Sequence, residues 1–116
     1  MYREFVTPDD EEVYEVTGEW PDMDENGARV VTLRDTSGQS MVFSYDTLER
    51  SVRVRWVNTQ GVEVMDVYRE GAMRLSFTPG KSTRSIRIDF HMGECTGAMD
   101  IQFAPHLAVQ DRLLFQ

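Results

Sequence analysis

The amino-acid sequence predicts an all-β fold built from antiparallel strands. Short runs rich in Val, Ile, Thr and aromatic residues recur about every 10–12 residues, and clusters of turn-forming residues separate them. Within these runs apolar and polar side chains alternate, which is typical of a sheet with one buried and one solvated face. We therefore expect a single antiparallel-sheet domain over residues 1–116, with about seven to nine short strands arranged as a sandwich or a rolled barrel.

Eight strands are indicated by this alternation and by the turns between them. They cover residues 13–20, 28–35, 40–45, 51–58, 62–69, 73–78, 84–92 and 98–104. The C-terminal residues Leu107, Val109, Leu113 and Phe115 also alternate, which favours a ninth strand. A short helix remains the alternative there, because it would place Leu107 and Leu114 on one side.

The strand register of one hairpin can be predicted from the sequence. If Gln60 and Gly61 form a two-residue turn, paired residue numbers add up to 121, and Trp56 faces Met65. Val54 then faces Val67, and Arg55 faces Asp66. This register pairs apolar with apolar residues and opposite charges with each other, whereas a slip by one residue would break both patterns.

The charge of the chain is concentrated at its start. The net charge is −8, but residues 1–28 carry ten acidic residues and one basic residue, while the remaining residues are nearly balanced. We expect this segment to be an acidic hairpin whose potential attracts a basic protein and repels nucleic acid. The predicted partner-binding residues are its carboxylates: Asp9, Asp10, Glu11, Glu12, Glu15, Glu19, Asp22, Asp24 and Glu25.

These features favour a non-catalytic protein-binding module, for example an inhibitor or immunity-type protein that covers a basic active site. One alternative is a β-barrel that binds a small molecule, although aromatic residues more often fill a small core. The aromatic residues that would line its cavity are Trp20, Phe43, Tyr45, Trp56, Tyr68, Phe77, Phe90 and Phe103. A second is a self-assembling structural protein, such as a homodimer joined through the apolar residues 113–115.

The cysteine content and the apolar runs of the chain bear on its cellular location. Cys95 is the single cysteine, so no internal disulfide can form, and no apolar run approaches the length of a membrane span. We therefore expect a cytoplasmic protein that uses neither membrane nor cofactor.

Two stretches resemble metal sites only in part. Residues 22–27 (DMDENG) match the first half of a calcium-binding loop, but Leu33 occupies the position where a bidentate glutamate is needed. His91, Glu94, Cys95 and His106 could ligate zinc, although their spacing fits no structural zinc pattern and a second cysteine is lacking. We expect no metal site, and an acidic hairpin loop at residues 22–27.

One strand face carries a candidate catalytic pair. Asp89 and His91 are two residues apart and so share a face, as a carboxylate that orients an imidazole requires. Cys95 or Ser76 would have to be the nucleophile, in contact with His91 and beside an oxyanion site. Since the sequence shows no cleft, we expect a solvated sheet face that also carries Arg74, Arg87, Asp100 and Gln102, and no enzyme.

Overall fold

The computed structural model of the chain describes residues 4–115. Within them lie one helix and nine strands: α1 (Asp10–Thr17), β1 (Asp22–Met23), β2 (Arg29–Arg34), β3 (Ser40–Asp46), β4 (Ser51–Val57), β5 (Glu63–Glu70), β6 (Ala72–Thr78), β7 (Arg84–Met92), β8 (Cys95–Ala104) and β9 (Ala108–Phe115). The all-β antiparallel class is confirmed, and the C-terminal segment is a strand, as alternation predicted.

The strands form two sheets, as a sandwich requires. A five-stranded sheet has the order β1-β2-β3-β4-β5, a four-stranded sheet has the order β6-β7-β8-β9, and every pairing is antiparallel. Each sheet is therefore a meander that uses one half of the chain. The sheets are not closed into a barrel, so the sandwich alternative is correct and the small-molecule barrel loses its structural basis.

Alternating apolar residues fill the space between the sheets. Met41, Phe43 and Tyr45 of β3 face Ile86 and Ile88 of β7 across one core, and all are at least 98% buried. The apolar side chains of these strands thus point into the core, as the alternation of apolar and polar residues predicted. Met92 continues the apolar positions of β7 at its end, but it is exposed.

The chain passes from one sheet to the other at Gly71, between β5 and β6. Its φ of +83° is in the left-handed region, and an added Cβ would lie 2.3 Å from Cγ of Met92. A side chain is therefore excluded both by the backbone conformation and by the close approach of β7. Two backbone hydrogen bonds hold this crossing, from Ala72 N–H to the Arg50 carbonyl and from His91 N–H to the Gly71 carbonyl.

The strand predicted at residues 13–20 is wrong, because residues 13–17 belong to helix α1. Asp9 accepts a hydrogen bond from the Glu12 N–H through its side chain, and Gly18 ends the helix in a left-handed conformation. Three acidic residues in the first turn also stabilise the helix, because their negative charges interact favourably with the positive end of the helix dipole. These end signals outweigh the strand propensity of the Val, Tyr and Thr residues between them.

The expected acidic hairpin over residues 1–28 is accordingly replaced by a helix followed by the two-residue strand β1, and residues 1–3 lie outside the described part. Before the helix, Phe5 is buried in the core and Val6 forms a parallel bridge to Arg74 of β6. The N-terminal segment therefore covers the free edge of β6.

The predicted hairpin register holds along most of β4 and β5. Arg53 pairs with Tyr68, Val54 with Val67, Arg55 with Asp66 and Trp56 with Met65. The turn differs, however, because the Asn58 N–H bonds the Val62 carbonyl and Asn58 Oδ1 accepts two turn N–H groups. A register shift after Trp56 accommodates the longer loop, so Val57 lies opposite Glu63.

Asp35 joins the two sheets at one end of the sandwich. Its carboxylate accepts hydrogen bonds from Ser37 and Gln39 in its own turn and from the N–H of Leu107, just before β9. Burial alone would raise the pKa of Asp35, but these hydrogen bonds outweigh it and lower the pKa from 3.8 to about 2.

Replacing Asp35 by Asn should lower the free energy of unfolding by about 1–2 kcal/mol at neutral pH, because one acceptor oxygen becomes a donor. Since the folded pKa is below the unfolded one, the stabilisation by Asp35 is present above about pH 4 and is lost as the pH falls towards 2. Urea denaturation of both proteins between pH 2 and 7 measures this. The exposed Glu25→Gln is the control, and a difference that does not shrink at low pH would contradict the assignment.

Candidate functional site

The predicted partner-binding carboxylates lie almost entirely at the surface. Eight of the nine are exposed and Asp10 is half-buried. Among the described residues, Asp10 is the member that forms an ion pair, with its Oδ1 3.1 Å from Nε of Arg29. Asp9 and Asp24 use side-chain oxygens to accept backbone N–H groups in a helix cap and a turn. Among residues 4–115, therefore, eight of these nine carboxylates have no ion-pair partner.

Helix α1 presents a subset of these carboxylates on its outer face. Val13 and Val16 are buried against the core, and α1 contacts β6. Glu11, Tyr14 and Glu15 lie on the opposite side of the helix, as its 3.6-residue period requires, and all three are exposed.

Tyr14 and Trp20 form an aromatic pair on this outer face. Their ring centroids are 4.6 Å apart with an interplanar angle of 13°, so the rings are stacked. Gly18 lets the chain reverse after the helix, which brings Trp20 back over Tyr14. Trp20 is nevertheless 56% exposed. An exposed stack of two large rings is a ready contact for a partner, because little conformational freedom is left to lose on binding.

We call Glu11, Tyr14, Glu15, Glu19 and Trp20 the α1 surface. It combines three carboxylates with two aromatic faces, and both kinds of group attract arginine and lysine side chains. The sequence predicted the carboxylates as partner-binding residues, whereas Trp20 was a candidate only for the core or for a cavity lining, and Tyr14 was not singled out. Recognition of the Asp9 and Gly18 caps would have revealed the helix and hence its outer face.

The catalytic alternative is not assembled. Asp89 accepts a hydrogen bond from Arg87 at 3.2 Å and is not bonded to His91. His91 pairs with Thr96, so Cys95, the neighbour of Thr96, faces the other side of the sheet. Ser76 pairs with Arg87, which is roughly 13 Å from His91 along the strand.

A groove of about 560 Å³ does include His91, together with Arg87, Asp89, Arg112 and other residues. It lies on the outer face of the four-stranded sheet, above the small side chains of Thr96 and Ala98. Neither nucleophile that the sequence offered faces His91 there, so the arrangement lacks the contact that covalent catalysis needs.

The metal candidates are likewise not brought together. Among residues 4–115 no group of three or more His, Cys, Asp or Glu side chains could hold a metal ion. In the half-motif at residues 22–27, Asp24 Oδ1 accepts the N–H groups of Asn26 and Ala28. This carboxylate oxygen therefore shapes the β1–β2 turn.

Most of the aromatic residues considered for a cavity lining belong to the hydrophobic core. Phe43, Tyr45, Phe77, Phe90 and Phe103 are buried in the core, whereas Trp20 and Tyr68 are exposed. Trp56 is half-buried and donates its Nε1–H to Gln39 Oε1. No helix in the described part of the chain is long and apolar enough to cross a membrane.

Comparison with known proteins gives one structural similarity. No model of a known protein family matches this chain, and no curated protein matches it. The structure is similar to a chain of a contact-dependent growth inhibition toxin–immunity protein complex from Klebsiella pneumoniae 342, with a TM-score of 0.82 and 16% sequence identity. The similarity covers 98% of this chain and 100% of that chain. At this identity it shows a shared fold.

The negative potential at the α1 surface can be measured without a partner. In Trp56→Phe, which leaves Trp20 as the single tryptophan, the quenching efficiency of each ion is divided by its efficiency on free N-acetyl-tryptophanamide. At low salt this normalised efficiency should be at least about twofold higher for caesium than for iodide. The triple variant Glu11→Gln, Glu15→Gln, Glu19→Gln in the same background should remove the difference. Equal normalised efficiencies before this change would show that no negative potential surrounds Trp20.

Proposed function

We propose that this protein is a non-catalytic protein-binding module of the immunity type, whose acidic N-terminal segment docks on a basic partner protein. The observation that carries the proposal is the α1 surface, where an exposed aromatic stack is combined with exposed carboxylates that neighbour its two rings in the chain. The docking residues are the nine predicted carboxylates together with Tyr14 and Trp20. In this proposal the protein acts in the cytoplasm without a cofactor, and nucleic acid is not its partner.

The charge distribution supports a basic partner. Residues 1–28 carry ten acidic residues and one basic residue, and Asp10 is their one carboxylate with an ion pair among the described residues. Unpaired carboxylates on one segment attract a positively charged surface over about a Debye length and so raise the association rate. They repel the phosphates of nucleic acid for the same reason.

The aromatic stack supports a protein as the partner. Binding energy at protein interfaces is concentrated in a few residues, among which Trp and Tyr are enriched. Tyr14 and Trp20 are already ordered by their mutual stacking, which reduces the entropy lost when they are covered. Carboxylates around the stack would pair with basic residues at the rim of the same contact.

The fold gives independent support for the immunity-type role. The similar structure is a chain of a complex that contains a growth-inhibiting toxin and its immunity protein. An inhibitor acts by covering a site and needs no catalytic residues of its own. The separation of His91 from Ser76 and Cys95 in this protein is consistent with such a role.

Docking through the α1 surface predicts a specific ranking of variants. The tagged protein would first isolate its basic partner from an extract of the native cells, and the purified pair would then be measured by surface plasmon resonance. Trp20→Ala should weaken affinity at least about tenfold. Glu11→Lys with Glu15→Lys should mainly slow association, and added salt should slow association of the wild type.

Tyr68→Ala is the matched control, since Tyr68 is as exposed as Trp20, at 56%, but lies on the outer face of the five-stranded sheet. It should leave affinity unchanged. Docking through the α1 surface would be contradicted if binding depended on Tyr68 and not on Trp20. It would also be contradicted if the association rate did not change with salt concentration.

Self-association is a second candidate function, favoured by strand β9. This strand is at an edge of the four-stranded sheet, and Leu113, Leu114 and Phe115 near its end are all exposed. An edge strand with adjacent exposed apolar side chains can pair with the same strand of a second copy.

This candidate predicts a dimer at about 10 µM in sedimentation equilibrium, a concentration at which weak homodimers form. Leu114→Lys should return the protein to a monomer by placing a charge on the paired edge. Leu48→Lys, at an even more exposed leucine in the β3–β4 turn, should leave the dimer intact. A monomer at this concentration would rule the candidate out.

A further inference from the structure

The hydroxyl of Tyr45 is a buried polar group without an internal partner. Tyr45 is 2% exposed, and within the described residues its Oη has no hydrogen bond. Buried hydroxyl groups are normally hydrogen-bonded, because leaving one unbonded costs the free energy of its lost hydration. Phenylalanine would fill the same space without this cost. The hydroxyl therefore calls for an explanation outside the core.

Tyr45 lines a groove that opens beside helix α1. The groove has a volume of about 390 Å³ and lies where residues 7–10, the β1–β2 arm and the β3–β4 turn meet. Its walls include Asp9, Asp10, Met23, Arg29 and Thr47. The volume is at the lower end of the range for ligand pockets, and so it suits a single side chain better than a large molecule.

The charged groups of the groove favour a cation. Asp9 and Asp10 outnumber Arg29, and each carboxylate uses only its Oδ1 in the hydrogen bonds found among the described residues. Burial first, and then the nearby Asp10 carboxylate, raise the pKa of Tyr45 to about 12, while Arg29 acts in the opposite direction. Arg29 is the cross-strand partner of Tyr45, so the hydroxyl lies near the Asp10–Arg29 ion pair, and it stays protonated. Its oxygen has no hydrogen bond among the described residues but is almost completely covered, so an N–H donor from the groove reaches it only when the side chains of Asp10 and Arg29 move apart.

We propose that this groove receives an arginine side chain of the basic partner, an inference that rests on the function proposed above. The guanidinium would donate to Tyr45 Oη and to the second oxygens of Asp9 and Asp10, while its methylene stem lies along Met23. Arginine fits better than lysine, because its planar group carries five N–H donors that reach several acceptors at once. The groove adjoins the start of α1, so one partner can cover both.

The decisive variant is Tyr45→Phe, and it has two readouts. The melting temperature of the free variant should be unchanged or higher, because an unbonded buried hydroxyl is removed. Titration with N-acetyl-arginine amide, followed by ¹H–¹⁵N NMR, should shift the signals of residues 7–10, 23–29 and 45–47 in the wild type. In Tyr45→Phe the affinity for this probe should fall about fivefold to tenfold.

The controls separate the groove from the α1 surface. N-acetyl-citrulline amide has nearly the same shape as the arginine probe without its charge, and it should leave the groove signals unshifted. Trp20→Ala should leave the groove shifts intact. A lower melting temperature of Tyr45→Phe would show that the hydroxyl is bonded in the free protein, and this result would overturn the proposal. Equal shifts by the citrulline probe, or probe affinity unaffected by Tyr45→Phe, would also overturn it.

The partner itself supplies the last comparison. Tyr45→Phe should weaken binding of the captured basic protein about fivefold or more, and unchanged affinity would overturn the assignment of the groove to a partner side chain. If instead the α1-surface variants leave partner affinity unchanged, docking through that surface fails. The titration with N-acetyl-arginine amide tests the groove independently of that result, because it uses no partner protein.

Discussion

Burial of Val13 and Val16 in the core holds an acidic helix against the sandwich. An isolated helix of eight residues is too short to persist in water, and the three acidic residues of its first turn repel one another. Packing of the two valines, with Asp9 and Gly18 capping the ends, supplies the stability that the helix itself lacks. The segment is also fixed ahead of the helix, where Val6 exchanges backbone hydrogen bonds with Met73 and Leu75 of β6. The geometry of the α1 surface depends on these contacts.

The two open sides of the sandwich are closed in different ways. On one side the N-terminal segment and α1 cover β6 and complete the core with Phe5 and the two helix valines. On the other side Arg69 of β5 is paired with Asp111 of β9, and the Arg69 guanidinium lies 5.3 Å from the centre of the Phe90 ring. An ion pair stacked on an aromatic ring links the two sheets without adding an element of structure. The acidic helix and the exposed apolar end of β9 are consequently features of different sides of the molecule.

Sequence reasoning succeeded where local alternation decides the structure. Alternating apolar residues such as Met41, Phe43 and Tyr45 must all point to the buried face of their strand. In the β4–β5 pair, one register places apolar residues opposite apolar residues and opposite charges opposite each other, and it is the register observed for residues 53–56 and 65–68. It failed at α1, because Val, Tyr and Thr favour strands and the helix is decided by its two end residues. The division into two sheets depends on the crossing at Gly71, which no local pattern reveals. Likewise, the unbonded Tyr45 hydroxyl appears only once β3, α1 and β2 are packed together.

Long-range charge and short-range contacts have separate consequences for a protein of this design. Carboxylates spread along residues 9–25 attract any basic surface, so they can speed an encounter but cannot by themselves distinguish one basic partner from another. Discrimination requires groups that are satisfied only by a matching shape, such as the stacked Tyr14 and Trp20 and the buried Tyr45 hydroxyl. A partner without a donor for that hydroxyl would leave it unbonded, and the difference in affinity would follow from one missing hydrogen bond. Recognition would then rest on the few groups that the carboxylates surround.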